Sequence, residues 1–152
     1  MRVGIIGGGS IARLFIEHIR RGDLGRARVV AIAGRSGGSR GKALAKKFRI
    51  PFVANLKTLL AKKPDVVVEA ASHDAVREYG EPLLKKGVSL IVLSCGALCD
   101  DALRRKLERE FVLLQDRGVR PAAGPIELRD DKALGHADLV HAVLVAREPQ
   151  DA

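Results

Sequence analysis

Two short stretches hold the residue types that do chemistry. Residues 7–12 read Gly7-Gly8-Gly9-Ser10-Ile11-Ala12, and residues 34–42 read Gly34-Arg35-Ser36-Gly37-Gly38-Ser39-Arg40-Gly41-Lys42. The first stretch fits the pattern G-x-G-x-x-G/A. There Gly7 permits a tight turn, Gly9 lets backbone approach a pyrophosphate, and Ala12 keeps a helix close to a strand. A helix opening at Ser10 and Ile11 directs free N–H groups and the positive end of its dipole at phosphate oxygens. The alternative is a turn whose glycines serve only close packing. Between a strand and a helix, the pattern implies a dinucleotide.

The second stretch bears on which dinucleotide. An acidic residue about 20 residues beyond the glycines holds the adenine ribose hydroxyls of NAD. Gly34 stands at that place, and Arg35 and Ser36 follow. A carboxylate repels a 2′-phosphate, whereas a guanidinium and a hydroxyl receive one. The expected cofactor is therefore NADP(H) rather than NAD. Arg35 and Ser36 would hold the 2′-phosphate, with Ser39 or Arg40 in support. A solvated basic turn is the alternative.

These stretches need elements to position them. Residues 2–6, 28–33, 65–69 and 88–93 are apolar runs bounded by turn residues, and Phe52-Val53 is a minimal strand. Between them lie helical patterns at 10–21, 39–48, 55–62, 72–86 and 100–116, stopped by Gly22, Pro51, Pro64, Gly87 and Gly118. Ile11, Leu14, Phe15, His18 and Ile19 are expected to form the buried stripe of the first helix. Ala43, Leu44, Lys47 and Phe48 are expected to form that of the second. Strands apolar throughout and alternating with helices predict a doubly wound α/β fold with a parallel sheet. Ligands in such sheets lie beyond the carboxyl ends of the strands. That places Ala70–His73 and Ser94–Ala97 beside the crevice. His73 is either a proton donor or a polar residue at a helix start. His18 is expected to be packed, and His141, alternating with apolar neighbours, to face solvent.

The chain has 152 residues, 47% of them apolar, which suits one globular domain. The expected division is a dinucleotide-binding domain over 1–120 and an extension over 121–152. The extension contains a strongly apolar strand at 138–146. Such a strand must pair with something, and a counterpart in a second copy is expected, giving a homodimer. No apolar run approaches the ~20 residues of a membrane span, and the start resembles no signal peptide. A cytoplasmic protein is the expectation. Cys95 and Cys99 read as two reduced thiols. The net charge of +9 admits nucleic acid as a partner. One Tyr, four Phe and no Trp, however, supply few stacking platforms, so that reading ranks last.

Four stretches together resemble the L-aspartate dehydrogenase family. They are Val3–Ala12 (VGIIGGGSIA), Pro64–Ser72 (PDVVVEAAS), Ala75–Tyr79 (AVREY) and Leu90–Leu98 (LIVLSCGAL). The second and fourth are characteristic of that family. The resemblance covers about residues 2–118 and continues weakly through Ala133–Pro149. It implies a Rossmann fold and NAD(P)-dependent oxidation of L-aspartate to iminoaspartate, or the reverse amination of oxaloacetate. It also implies pyrophosphate contacts at Gly7, Gly9 and Ala12, and ribose and nicotinamide contacts at Ala71, Ser72, Ser94, Gly96 and Ala97.

Three departures accompany the resemblance. The family usually carries Asp or a similar residue near Gly34. Its proline-serine-glycine-alanine loop stands here as Pro121-Ala122-Ala123-Gly124-Pro125. Its substrate domain, with the catalytic histidine, is expected to run on the order of 100 residues further. Neither His136 nor His141 matches that histidine. Two functional readings follow. One is an NADP(H)-binding module with little or no aspartate turnover of its own. The other is an active dehydrogenase completed by oligomerisation.

Overall fold

The computed structural model describes residues 1–35, 38–116 and 142–144. Apolar runs between glycine and proline breaks form β1 (Arg2–Ile6), β2 (Arg28–Ala33), β3 (Phe52–Val53), β4 (Val66–Glu69) and β5 (Ser89–Val92). They alternate with α1 (Ser10–Arg21), α2 (Ser39–Phe48), α3 (Leu56–Leu60), α4 (His73–Lys85) and α5 (Asp101–Asp116). A 3₁₀ helix, Cys95–Cys99, which the sequence did not announce, lies between β5 and α5. With β6 (Ala142–Leu144), the sheet order is β3-β2-β1-β4-β5-β6. The first five strands pair in parallel. This is the expected doubly wound, Rossmann-like α/β fold. The chain leaves β1 toward β2 on one side and returns to β4 on the other, so a crevice opens between the ends of β1 and β4.

Successive strand residues point to opposite faces, so two core layers form. Val3 and Ile5 of β1 and Val66 and Val68 of β4 pack with Ala12, Ile16 and Ile19 of α1 and Leu44 and Phe48 of α2. Ile6 and Val67 pack with Leu59 of α3, Leu83 and Leu84 of α4, and Leu103 and Leu107 of α5. Because both faces are covered, the strands carry no polar-outward alternation.

Three expectations are corrected. The buried stripe of α1 is Ala12, Ile16 and Ile19, while Ile11 and Leu14 are 55% and 46% exposed. The turn through Gly7–Gly9 sets the rotation at which α1 starts, and that rotation turns Ala12 onto the sheet. His18 is consequently exposed rather than packed, and its Nδ1 lies 2.6 Å from Asp23 Oδ2. In α2 the buried residues are Gly41, Leu44, Ala45 and Phe48, with Ala43 and Lys47 outside. Gly41 packs against the Phe52 ring, 3.1 Å from where its Cβ would stand, so a larger residue would have to displace the ring.

Of the apolar strand expected at 138–146, residues 142–144 lie among the described residues. These pair antiparallel with β5 of the same chain, Val92 opposite Ala142 and Leu90 opposite Leu144. Joining its own sheet covers the β5 edge without a second chain. The extension thus adds a strand to the first domain's sheet. Ser36, Gly118, the loop 121–125, His136, His141 and the rest of 138–146 lie outside the described residues. Among the described residues, no helix is long and apolar enough to cross a membrane, and no metal-ligating cluster forms. Cys95 and Cys99 form no disulfide with each other, Cys95 half-buried and Cys99 exposed.

Candidate dinucleotide site

The glycine turn is built by three different constraints. Gly7 has φ +120°, which L side chains rarely adopt, and a Cβ there would overlap the carbonyl oxygen of Ala70. Its N–H donates to the Ala33 carbonyl at 2.9 Å. Gly7 therefore wedges between the ends of β2 and β4. Gly8 lies directly on the backbone of Gly41, which brings the start of α2 against the turn. Gly9 is different. A Cβ at Gly9 would meet no heavy atom within 4 Å, and its φ of −84° is open to any residue. The fold does not require glycine at that position; the space in front of it is what stays clear.

That space faces the start of α1, whose N-cap is Gly9 and whose first turn has no side-chain cap and no acidic residue. The same holds for α2, capped by Gly38. In contrast, Asn55 caps α3 through Thr58 N, and Ser72 caps α4 through Ala75 N. Ser10 and Ile11 are exposed at the mouth, and Ala12 is fully buried, as its packing role requires.

Beyond β2 the basic stretch turns back on itself, with Gly38 N–H donating to the Arg35 carbonyl at 2.8 Å. Arg35, Ser39 and Arg40 are exposed. Phe52 is the floor of this cluster. A Cβ on Gly34 would lie 3.3 Å from its ring, and Lys42 sits over the ring at 5.8 Å. The missing side chain at Gly34 thus has a packing cause as well as an electrostatic consequence. Across the same end, Tyr79 of α4 lines a cleft of about 410 Å³ with Ala54–Lys57 and Glu78. Burial pushes the Tyr79 hydroxyl up from 10.0, and its hydrogen bond to Glu78 adds to this. The Glu78 charge acts the same way, while the Arg35 charge pulls the value down.

At the ends of β4 and β5 the structure gathers most of the residues expected there. Ala71 is exposed and Ser72 half-buried, and both backbone N–H groups donate to Glu69 Oε1, at 2.7 and 2.9 Å. Ser94 donates its N–H to Glu69 Oε2 at 3.2 Å and its hydroxyl to Oε1 at 3.1 Å. Gly96 is exposed beneath the His73 ring, and a Cβ at Gly96 would lie 2.7 Å from His73 Nε2. Ala97, expected there too, is fully buried in the core. The tight 3₁₀ turn after Ser94 rotates it inward.

Sequence reasoning missed Glu69, Gly8 with Gly41, and the Phe52 floor. A signal existed for Glu69, an acidic residue closing an otherwise apolar buried strand. Gly8 and Gly41 lie 33 positions apart, and no local pattern links them.

Residues 7–114 match the family model described as "Homoserine dehydrogenase, NAD binding domain". L-aspartate dehydrogenase 1 of Bordetella pertussis is 39% identical over 107 residues, 70% of this chain and 39% of that protein. L-aspartate dehydrogenase of Archaeoglobus fulgidus is 35% identical over 127 residues, 83% of this chain and 48% of that protein. Among solved structures, aspartate dehydrogenase from Thermotoga maritima aligns with a TM-score of 0.52 at 27% identity, covering 72% of this chain and 40% of that one. The chain thus spans between two fifths and half of the length of these curated relatives.

Proposed function

The chain belongs to the homoserine dehydrogenase NAD-binding domain family, and from that premise we propose that it is a dinucleotide-binding domain preferring NADP(H). It is related to the L-aspartate dehydrogenases, and a pyridine nucleotide is its cofactor class. The observation that carries the proposal is the clear space at Gly9, set against the uncapped start of α1. N–H groups with no side-chain acceptor, at the positive end of a helix, fit a pyrophosphate.

In this reading Gly7 shapes the turn, Gly9 admits the pyrophosphate, and Ala12 keeps α1 close. Arg35 supplies a guanidinium for the 2′-phosphate, with Ser36, next in the sequence, and Arg40 as further proposed contacts. Tyr79 and its cleft border the adenine end. Ala71, Ser72, Ser94 and Gly96 form the rim for the nicotinamide and its ribose. When bound, the nicotinamide supplies hydride chemistry; the groups named here bind and orient. The free thiols Cys95 and Cys99 support a cytoplasmic setting.

We further propose that these 152 residues turn over little or no aspartate by themselves. Apart from His73, the groups gathered at the rim are hydroxyls, small side chains and N–H groups already engaged by Glu69, a set that shapes a surface for a nucleotide. One observation favours the other reading, an active dehydrogenase. The His73 ring lies on Gly96 at the crevice rim, where a proton-transfer group would have to be.

The test is a side-by-side titration with NADPH and NADH, followed by incubation with L-aspartate and NADP⁺ while NADPH absorbance is watched. Tighter NADPH binding without turnover is the expected result. Equal or tighter NADH binding overturns the NADP(H) preference. Turnover establishes the dehydrogenase, and binding of neither nucleotide overturns the proposal as a whole.

A further inference from the structure

Glu69 ends β4 in register with Ile6 of β1 and Val92 of β5, at the centre of the sheet. It is 1% exposed. Its carboxyl group accepts from Ala71 N–H, Ser72 N–H, Ser94 N–H and the Ser94 hydroxyl, and no Lys, Arg or His among the described residues bonds to it. Its backbone is bound as well: Leu93 N–H donates to the Glu69 carbonyl at 2.9 Å.

A fold alone has little use for such a residue. Burying a carboxyl group costs free energy unless its acceptors are fully supplied, and an apolar side chain would close the end of β4 more cheaply. What Glu69 adds is geometry. One side chain grips the loop after β4 and the loop after β5 simultaneously, so the two cannot move apart independently. Two of these hydrogen bonds converge on one oxygen from consecutive residues of one loop.

We infer that Glu69 is a positioning residue, clamping the loops after β4 and β5 into the rim that receives the nicotinamide half of the cofactor, while the adenine half is held independently by the Arg35 side. This inference rests on the dinucleotide reading above. It assigns to Glu69 no contact with the ligand. It separates the crevice into two halves that one substitution can distinguish.

Glu69→Gln keeps the size of the side chain but turns one oxygen into an N–H₂ donor. That donor must face either Ser94 N–H or the pair from Ala71 and Ser72, so one loop loses its backbone hydrogen bonds to the side chain and the clamp is weakened. NADPH and adenosine 2′,5′-bisphosphate, which carries the adenine half alone, are titrated into the wild type and the variant. The expected result is about tenfold weaker NADPH binding with the bisphosphate unchanged within about twofold. If the wild type prefers NADH, NADH and ADP take their places. Ser94→Ala, which removes only the hydroxyl donor, is the milder companion should Glu69→Gln fail to fold. It is expected to weaken NADPH about threefold and the bisphosphate not at all. Equal weakening of both ligands, or weakening of neither, overturns the positioning role and leaves the dinucleotide reading standing. A wild type that binds no dinucleotide overturns both.

Discussion

Replacing Gly9 with alanine adds one methyl group at a point where the fold has nothing to collide with. The backbone there has φ −84° and ψ −171°, open to alanine, and no heavy atom lies within 4 Å of the new Cβ. Restricting the unfolded chain favours the variant by about 0.4–1 kcal/mol. Alanine is a poorer N-cap than glycine by roughly half a kcal/mol or more. The two nearly cancel, so the net change should stay within about 0.5 kcal/mol, or about 2 °C in Tm for a chain of this size. Binding should respond quite differently. The methyl group occupies the approach to the α1 N–H groups, and each hydrogen bond to a charged phosphate is worth about 1.5–3 kcal/mol. Loss of one such bond raises the Kd for NADPH roughly ten- to hundredfold. Gly7→Ala is the opposite control. Its φ of +120° and the overlap with the Ala70 carbonyl should cost about 2 kcal/mol or more of stability, read as a Tm several degrees lower. The assay pairs thermal melts with NADPH titration for both variants. A Gly9→Ala protein that melts normally and binds NADPH like the wild type would refute the reasoning, because the clear space would then not be where a pyrophosphate lies.

Arg35→Ala should lower the ratio of NADPH to NADH affinity about tenfold or more, since only the 2′-phosphate uses the guanidinium. An unchanged ratio in paired titrations counts against the NADP(H) preference. Leu107→Ala removes a fully buried side chain of α5 and should cost about 2–5 kcal/mol in urea unfolding; a loss well under 1 kcal/mol would contradict its place in the core. Glu81 joins α4 to α5 through Lys106 Nζ at 2.5 Å and also meets Lys85 Nζ at 2.7 Å. The Lys106 and then the Lys85 hydrogen bonds hold its carboxyl below the ordinary 4.5. Since the folded state binds that proton less readily than the unfolded state, the stabilisation is complete above 4.5 and is lost as pH falls through the lower folded-state value. The Tm difference between wild type and Glu81→Gln should therefore be present near neutral pH and shrink in acid; a difference independent of pH would show that the ion pairs contribute nothing.

Much of the fold was legible because its signals are local. Val66–Val68 is apolar whatever surrounds it, Pro51 and Pro64 follow the ends of α2 and α3, and Gly22 ends α1 with a left-handed φ of 86°. The glycine motif was legible for the same reason, since strand, turn and helix follow one another along ten residues. The rotation of α1 was not. Of the expected stripe Ile11, Leu14, Phe15, His18 and Ile19, Ile19 is buried and Phe15 packs beside the core, while Ala12 and Ile16 take the other inward places. The burial of Ala97 was not legible either, because it lies in a 3₁₀ turn that the sequence did not announce.

By itself, the sequence determined the alternation of strands and helices, the turn at Gly7–Gly9 and the absence of a carboxylate at Gly34. Each of these is a property of neighbouring residues. The tertiary structure decided which glycine serves the fold and which keeps space clear. It also decided that Glu69 grips two loops, that Phe52 lies beneath the basic cluster, and that residues 142–144 close the β5 edge. Those outcomes depend on residues tens of positions apart meeting at one sheet end, and such distances are set by packing rather than by periodicity.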